Sequence, residues 1–159
     1  MAALRIGVLT CSDTRTEEND TSGAALRALS EARGWETAAY AIVSDDAGTI
    51  SAALVRMADE AGCDVVLTTG GTGLSPRDRC PEATLAIADR EVPGIAEAIR
   101  SMSLAITKRA MLSRAVAAQR GGTLIINLPG SEKGAREGFG IIADQLEHAV
   151  EMMAGGGHG

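Results

Sequence analysis

Short β-branched apolar runs alternate along this chain with segments whose apolar residues recur every three or four positions. No other feature constrains the fold as strongly. Residues 4–11, 37–43, 64–69 and 122–128 read as strands, and the third is apolar almost throughout, as a central parallel strand covered on both faces should be. Helices are predicted for about 22–32, 81–89, 93–106 and 132–153. Another follows Asp46, with Ile50, Ala53, Leu54, Met57, Ala58 and Ala61 on one face. Pro81 and Pro93 suit the first turn of their helices, and Asp20, Thr21 or Ser22 can cap the first. A short helical turn is expected at 111–117. Strand–helix alternation of this kind specifies an α/β fold: a three-layer αβα sandwich with a mostly parallel central sheet. With no repeat or linker visible, residues 1–154 are expected to form one domain and 155–159 a flexible tail.

Composition removes several classes of function. The 159 residues include one Trp, one Tyr and one Phe, so the core must be aliphatic and base stacking on aromatic platforms is excluded. The formal net charge of −6 argues against general binding of a nucleic-acid backbone. An anionic small molecule remains compatible, because a local cluster of donors outweighs net charge. No stretch reaches the ~18 uncharged residues of a membrane span, and the apolar start is too short for a signal sequence. A cytoplasmic location is expected. Cys11, Cys63 and Cys80 are widely spaced with no C-x-x-C, and read as small buried thiols.

In open α/β sheets ligands bind outside the carboxyl ends of the strands. Here those ends carry Ser12-Asp13, Asp45, Gly70-Gly71-Thr72-Gly73 and Asn127-Leu128-Pro129-Gly130-Ser131. The richest segment is T-T-G-G-T-G-L-S-P-R-D-R-C-P-E-A-T, residues 68–84. Its glycines allow successive N–H groups to face an anion without a Cβ in the way, with positive φ expected at Gly71 and Gly73. Thr72 and Ser75 add hydroxyls, Arg77 a cationic fork, and Asp78 a carboxylate suited to Mg²⁺ on a polyphosphate. The segment is neither a P-loop nor a dinucleotide fingerprint: G-x-x-x-x-G-K-[ST] is absent, and Pro76 stands where the third glycine would be.

Together with Ser12-Asp13, D20-T-S-G23, R90-E-V-P-G94, M111-L-S-R114 and N127-L-P-G-S131, this segment resembles the molybdopterin adenylyltransferase (MogA/MoaB) family of molybdenum cofactor synthesis, and the gephyrin-type domain. The likeness runs from about residue 4 to 153. It implies transfer of AMP from MgATP to molybdopterin, with Asp45 and Asp78 as catalytic and Mg²⁺-binding carboxylates. It further implies substrate contacts from Ser12, Asp13, Gly70, Gly71, Thr72, Gly73, Ser75, Arg77, Ser113 and Arg114. Asn127, Leu128, Pro129, Gly130 and Ser131 resemble the adenine side of the site, although a plain strand-to-helix turn would look the same. The resemblance also implies a homotrimer or a pair of trimers, and the stripe Ile95, Ile99, Met102 and Ile106 serves either the core or such an interface. Arg79 and Cys80 depart from the family's small apolar residue and Thr. The loop 14–23 lies nearer the MoaB side, so a non-catalytic pterin- or nucleotide-binding oligomer is the alternative.

Overall fold

The computed structural model describes residues 2–156. Six strands form one sheet: β1 (Arg5–Cys11), β2 (Glu36–Val43), β3 (Val65–Thr69), β4 (Arg90–Glu91), β5 (Ala117–Arg120) and β6 (Thr123–Leu128). Their order is β2-β1-β3-β6-β5-β4, with the first four parallel and the β6-β5-β4 end antiparallel. Five α-helices cover the two faces: α1 (Thr21–Ala32), α2 (Ala47–Val55), α3 (Cys80–Ile87), α4 (Pro93–Leu104) and α5 (Glu132–Met153).

Strand alternation divides the core in two. Ile6, Val8, Val65, Leu67, Leu124, Ile126 and Leu128 pack on one face with Leu26, Ile99, Phe139, Ile142 and Leu146 from α1, α4 and α5. Leu9, Cys11, Val66 and Ile125 pack on the other with Ile50, Leu54, Cys80 and Ala83 from α2 and α3. This is the three-layer sandwich expected. Each fully buried leucine, such as Leu54 or Leu67, contributes about 2–5 kcal/mol against truncation to Ala.

The caps are local, and the structure selects Asp20 from the three candidates for the first helix. Asp20 accepts from the amide of Gly23 to start α1, Asp46 from Thr49 to start α2, and Ser131 from Gly134 to start α5. Asp20 also accepts 2.6 Å bonds from Thr10 Oγ1 and Tyr40 Oη, fastening α1 to β1 and β2.

Three expectations need correction. The helix after Asp46 widens into a π-turn at Arg56–Glu60, closed by Ala61 N donating to Arg56 O. The helical turn expected at 111–117 is instead a 3₁₀ turn at Lys108–Leu112, followed by extended chain. Ala117–Arg120 then pairs antiparallel with β6 across Gly121 (φ 54°) and Gly122, so a helix-favouring A-A-Q-R becomes a strand through its partner. At the far end Gly155 and Gly156 close α5 by donating to Met152 O and Glu151 O; the rest of the expected tail, 157–159, lies outside the described residues.

Candidate active site

Parallel pairing of β2, β1, β3 and β6 brings their following loops to one edge of the sheet. The β3–α3 loop lies at its centre. Gly70 and Gly71 hold φ of 96° and 70°, a region an L side chain rarely adopts. A Cβ on Gly70 would lie 2.4 Å from Cys11 O, and one on Gly130 would lie 3.2 Å from Gly70 Cα, so the three loops touch backbone to backbone. Thr69 Oγ1 donates to Pro129 O at 2.6 Å and ties β3 to the β6–α5 loop. Gly73 differs from the expectation, because its φ is not positive. It must be small for another reason: a Cβ there would lie 2.8 Å from Asp78 Oδ2.

Gly70 N donates to Leu128 O and is therefore unavailable to a ligand. The N–H groups of Gly71, Thr72 and Gly73 have no partner among the described residues. Three consecutive unpartnered amides at a strand end are the donors that an anion cradle needs.

On one side of this cradle stand the carboxylates. Asp45 Oδ1 lies 3.4 Å from the position a Gly71 Cβ would take, and it is buried without a hydrogen-bond partner. Burial, then the neighbouring charge of Asp13, with Asp78 contributing less, raises the Asp45 pKa above the ordinary carboxylate value. Asp78 comes from a different loop; Ser75 N donates to its Oδ2 at 3.0 Å. Asp13 accepts from Asp45 N at 3.0 Å and grips Arg77 through Nε and Nη2 at 3.0 and 2.8 Å. The hydrogen bond from Arg77 holds Asp13 below its ordinary pKa. Thus Asp13, Asp45, Arg77 and Asp78, from three loops, form one cluster.

On the other side opens a cleft of about 650 Å³. Thr72, Gly73, Ser113, Pro129 and Ser131 line it, with Ile99, Arg100, Ser103, Thr107 and Arg109 from α4 and the following turn, and Lys133 from α5. The last six stand in none of the motifs that mark the site in the sequence. Only Ile99 among them carries a signal, the three-to-four spacing of α4, which marks an apolar stripe without saying what it faces. That stripe in fact splits: Ile99 is buried, whereas Met102 and Ile106 are 57% and 52% exposed.

Several side chains expected at the ligand also hold bonds within the protein. The Asn127 amide donates to Thr68 and Thr84 and accepts from Val116 N. Leu128 is fully buried in the core. The Ser12 hydroxyl accepts from the amides of Thr14 and Arg15, and Ser131 caps α5. Ser75 Oγ accepts from Arg77 N, and Ser113 Oγ from Ala115 N, although Ser113 keeps a face on the cleft. The guanidinium of Arg114 is engaged with Glu82, Gly73 O and Asp78 O. The three cysteines are buried and free; Cys11 and Cys80 Sγ lie 3.8 Å apart beneath the cradle.

A mostly parallel sheet with unpartnered amides, two carboxylates and an adjoining cleft at its carboxyl edge defines an α/β protein with a candidate small-molecule site where such sheets bind their ligands. The particular family follows from comparison: residues 7–148 match the family described as a probable molybdopterin binding domain, and this chain belongs to it. It is 39% identical to a molybdopterin adenylyltransferase of Helicobacter pylori, covering 98% of this chain and 90% of that protein. It is 42% identical to the molybdenum cofactor synthesis protein cinnamon of Drosophila melanogaster, covering 96% of this chain but only 26% of the fly protein's length. The crystal structure of the molybdopterin biosynthesis enzyme MoaB from Thermus thermophilus superposes with a TM-score of 0.88 at 48% identity, covering 97% of this chain and 98% of that one. No helix among the described residues is long and apolar enough to cross a membrane.

Proposed function

We propose that this chain is a molybdopterin adenylyltransferase acting in molybdenum cofactor biosynthesis. An oxygen of the pterin's terminal phosphate attacks the α-phosphorus of ATP. The bond to the β-phosphate oxygen breaks, and its electron pair leaves with pyrophosphate. The observation that carries this reading is the convergence of Asp45 and Asp78 on opposite ends of one glycine loop, around three unpartnered amides and beside a cleft sized for a small molecule.

Such a transfer needs its developing charge neutralised and its reactants aligned more than it needs covalent chemistry. The attacking phosphate is already ionised, so no strong base is required. In this reading the amides of Gly71, Thr72 and Gly73 and the fork of Arg77 orient phosphate oxygens, and Asp13 fixes that fork. The Pro129–Ser131 backbone lies on the adenine side, and Ser113 lies near the pterin. Mg²⁺ fits the residues present. The buried, unpartnered Oδ1 of Asp45 is a hard donor, yet no group of three or more protein ligands stands among the described residues, so phosphate oxygens must complete the shell. Magnesium is commonly held in this way, by one or two carboxylates plus substrate phosphates. Asp45 and Asp78 are the residues that would hold it, and the charge it would supply there is compensation for the ATP phosphates.

We further place the protein in the cytoplasm as a single-domain homotrimer or hexamer. The exposed Met102, Ile106, Met111 and Leu112 offer an apolar surface for such contacts. Sedimentation at micromolar concentration tests this, and a species near the 16.3 kDa of one chain would defeat it.

The function is tested by following pyrophosphate release from MgATP with and without molybdopterin. Pterin-dependent release is expected. Pterin binding without release would leave the non-catalytic reading in its place.

A further inference from the structure

Arg114 is bonded to the β3–α3 loop at three points, and none of its bonds leads outward. Its backbone N–H donates to Thr72 O at 2.8 Å. Its Nε donates to Gly73 O at 2.8 Å, and its Nη2 to Asp78 O at 2.7 Å. The remaining edge of the fork meets the carboxylate of Glu82 on the first turn of α3. One planar cation therefore spans both ends of the 73–78 loop and the helix that follows. The loop's own bonds, Ser75 N to Asp78 Oδ2 and Asp78 N to Ser75 O, tie Asp78 to Ser75, and Cys80 N donates to Gly71 O at 3.1 Å. Among the described residues, only Arg114 links Gly73 directly to Asp78 through side-chain donors. Arg114 is held in turn. Arg100 Nη1 donates to Ser113 O and Ala115 O at 3.2 and 2.8 Å, gripping the chain on both sides of it.

We propose that Arg114 is a positioning residue for adenylyl transfer: it sets the separation of Gly73 and Asp78, and so the aim of the free amides and of the Asp78 carboxylate, without touching substrate. This rests on the adenylyltransferase reading of the site. The guanidinium is suited to the task because its donors diverge in one rigid plane; a lysine ammonium in the same place meets only one carbonyl well. A displacement of about 1 Å in a group that aligns phosphates costs on the order of 10²-fold in rate.

Three variants test the proposal: Arg114→Ala, Arg114→Lys, and Arg114→Ala combined with Asp78→Asn. Arg114→Ala is expected to lower kcat about 10²-fold while KM for molybdopterin stays within about threefold. Arg114→Lys should recover less than a tenth of that loss, and added guanidinium ion should restore part of the activity of the alanine variant. If Arg114 acts through Asp78, the double variant is no more than about threefold worse than Asp78→Asn alone. A raised KM with kcat unchanged would make Arg114 a direct substrate contact, and losses that multiply would detach it from Asp78; either result overturns the proposal.

Amide hydrogen exchange supplies a readout that needs no turnover. Faster exchange confined to about residues 72–82 in Arg114→Ala is expected, and unchanged exchange there overturns the positioning role. If the wild-type protein releases no pyrophosphate, the adenylyltransferase reading fails, and the exchange measurement still decides whether Arg114 holds the loop.

Discussion

The two sides of the glycine loop are built on opposite principles. The carboxylate side pairs Asp13 with Arg77 beside Asp45, leaves Asp45 Oδ1 buried without a partner, and raises the Asp45 pKa through burial and the charges of Asp13 and Asp78. The cleft side joins the apolar side chain of Ile99 to the hydroxyls of Ser103 and Thr107, with Arg109 and Lys133 among its lining. The difference teaches that one loop can separate two kinds of surface, fixed charges on one side and a shaped, partly apolar cavity on the other.

The largest effect is expected on the charged side. Asp78→Asn keeps size and removes charge, and should cost about 10²-fold or more in turnover with the melting temperature within a few degrees. On the proposed mechanism, in which both carboxylates serve one transition state, adding Asp45→Asn should cost little beyond the worse single change. Fully multiplicative losses, or unchanged turnover in Asp78→Asn, would break the comparison.

The glycines sharpen it. Gly70→Ala meets Cys11 O at a positive φ and should destabilise the fold by about 2 kcal/mol or more. Gly73→Ala meets the Asp78 carboxylate without a positive φ. It should displace Asp78 and lower turnover roughly tenfold or more, while changing stability less than Gly70→Ala does. Thermal melts and rates on the same two proteins decide this, and equal destabilisation by both would remove the distinction.

On the cleft side, Ser103→Phe intrudes on the cavity and should raise KM for one substrate roughly tenfold with kcat little changed, the signature of lost uniform binding. A fall in kcat alone would mean that the cleft takes part in alignment.

The smallest effect concerns Asp45 and pH. Its pKa is raised in the folded protein, so the native state binds that proton more tightly than the unfolded chain does. The stability linked to this group is therefore full below the ordinary carboxylate range and is lost as pH rises through the raised value. Asp45→Asn should melt roughly 1–3 °C above wild type near neutral pH, with the difference vanishing below about pH 4. A destabilised variant at neutral pH would show that Asp45 is paired in solution.

Much of this was legible along the chain. The parallel core could be read because Val65, Val66 and Leu67 of β3 place apolar residues on both faces, and the glycine loop in part: positive φ is expected at Gly71 and Gly73 and is found at Gly70 and Gly71. The antiparallel end was not legible. A two-residue β4 carries no periodicity, and A-A-Q-R becomes β5 only by pairing with β6. The cleft residues on α4 and α5 were invisible for a related reason: an amphipathic stripe states that one face is apolar, and not whether that face meets a core, a cavity or another chain.

The roles of polar side chains divide along the same line. Residue type and spacing within one or two turns suffice for the layer architecture, for a capping group at residues 20–22, and for which loops carry donors and carboxylates. Chain packing alone brings Asp45 and Asp78 to one site, turns Asn127 and Arg114 inward, and sets Asp13 on Arg77. Those outcomes depend on which strand ends lie side by side and which partner reaches a donor first. Such contacts span 64 residues between Asp13 and Arg77 and 36 between Asp78 and Arg114, and no local pattern of residues encodes them.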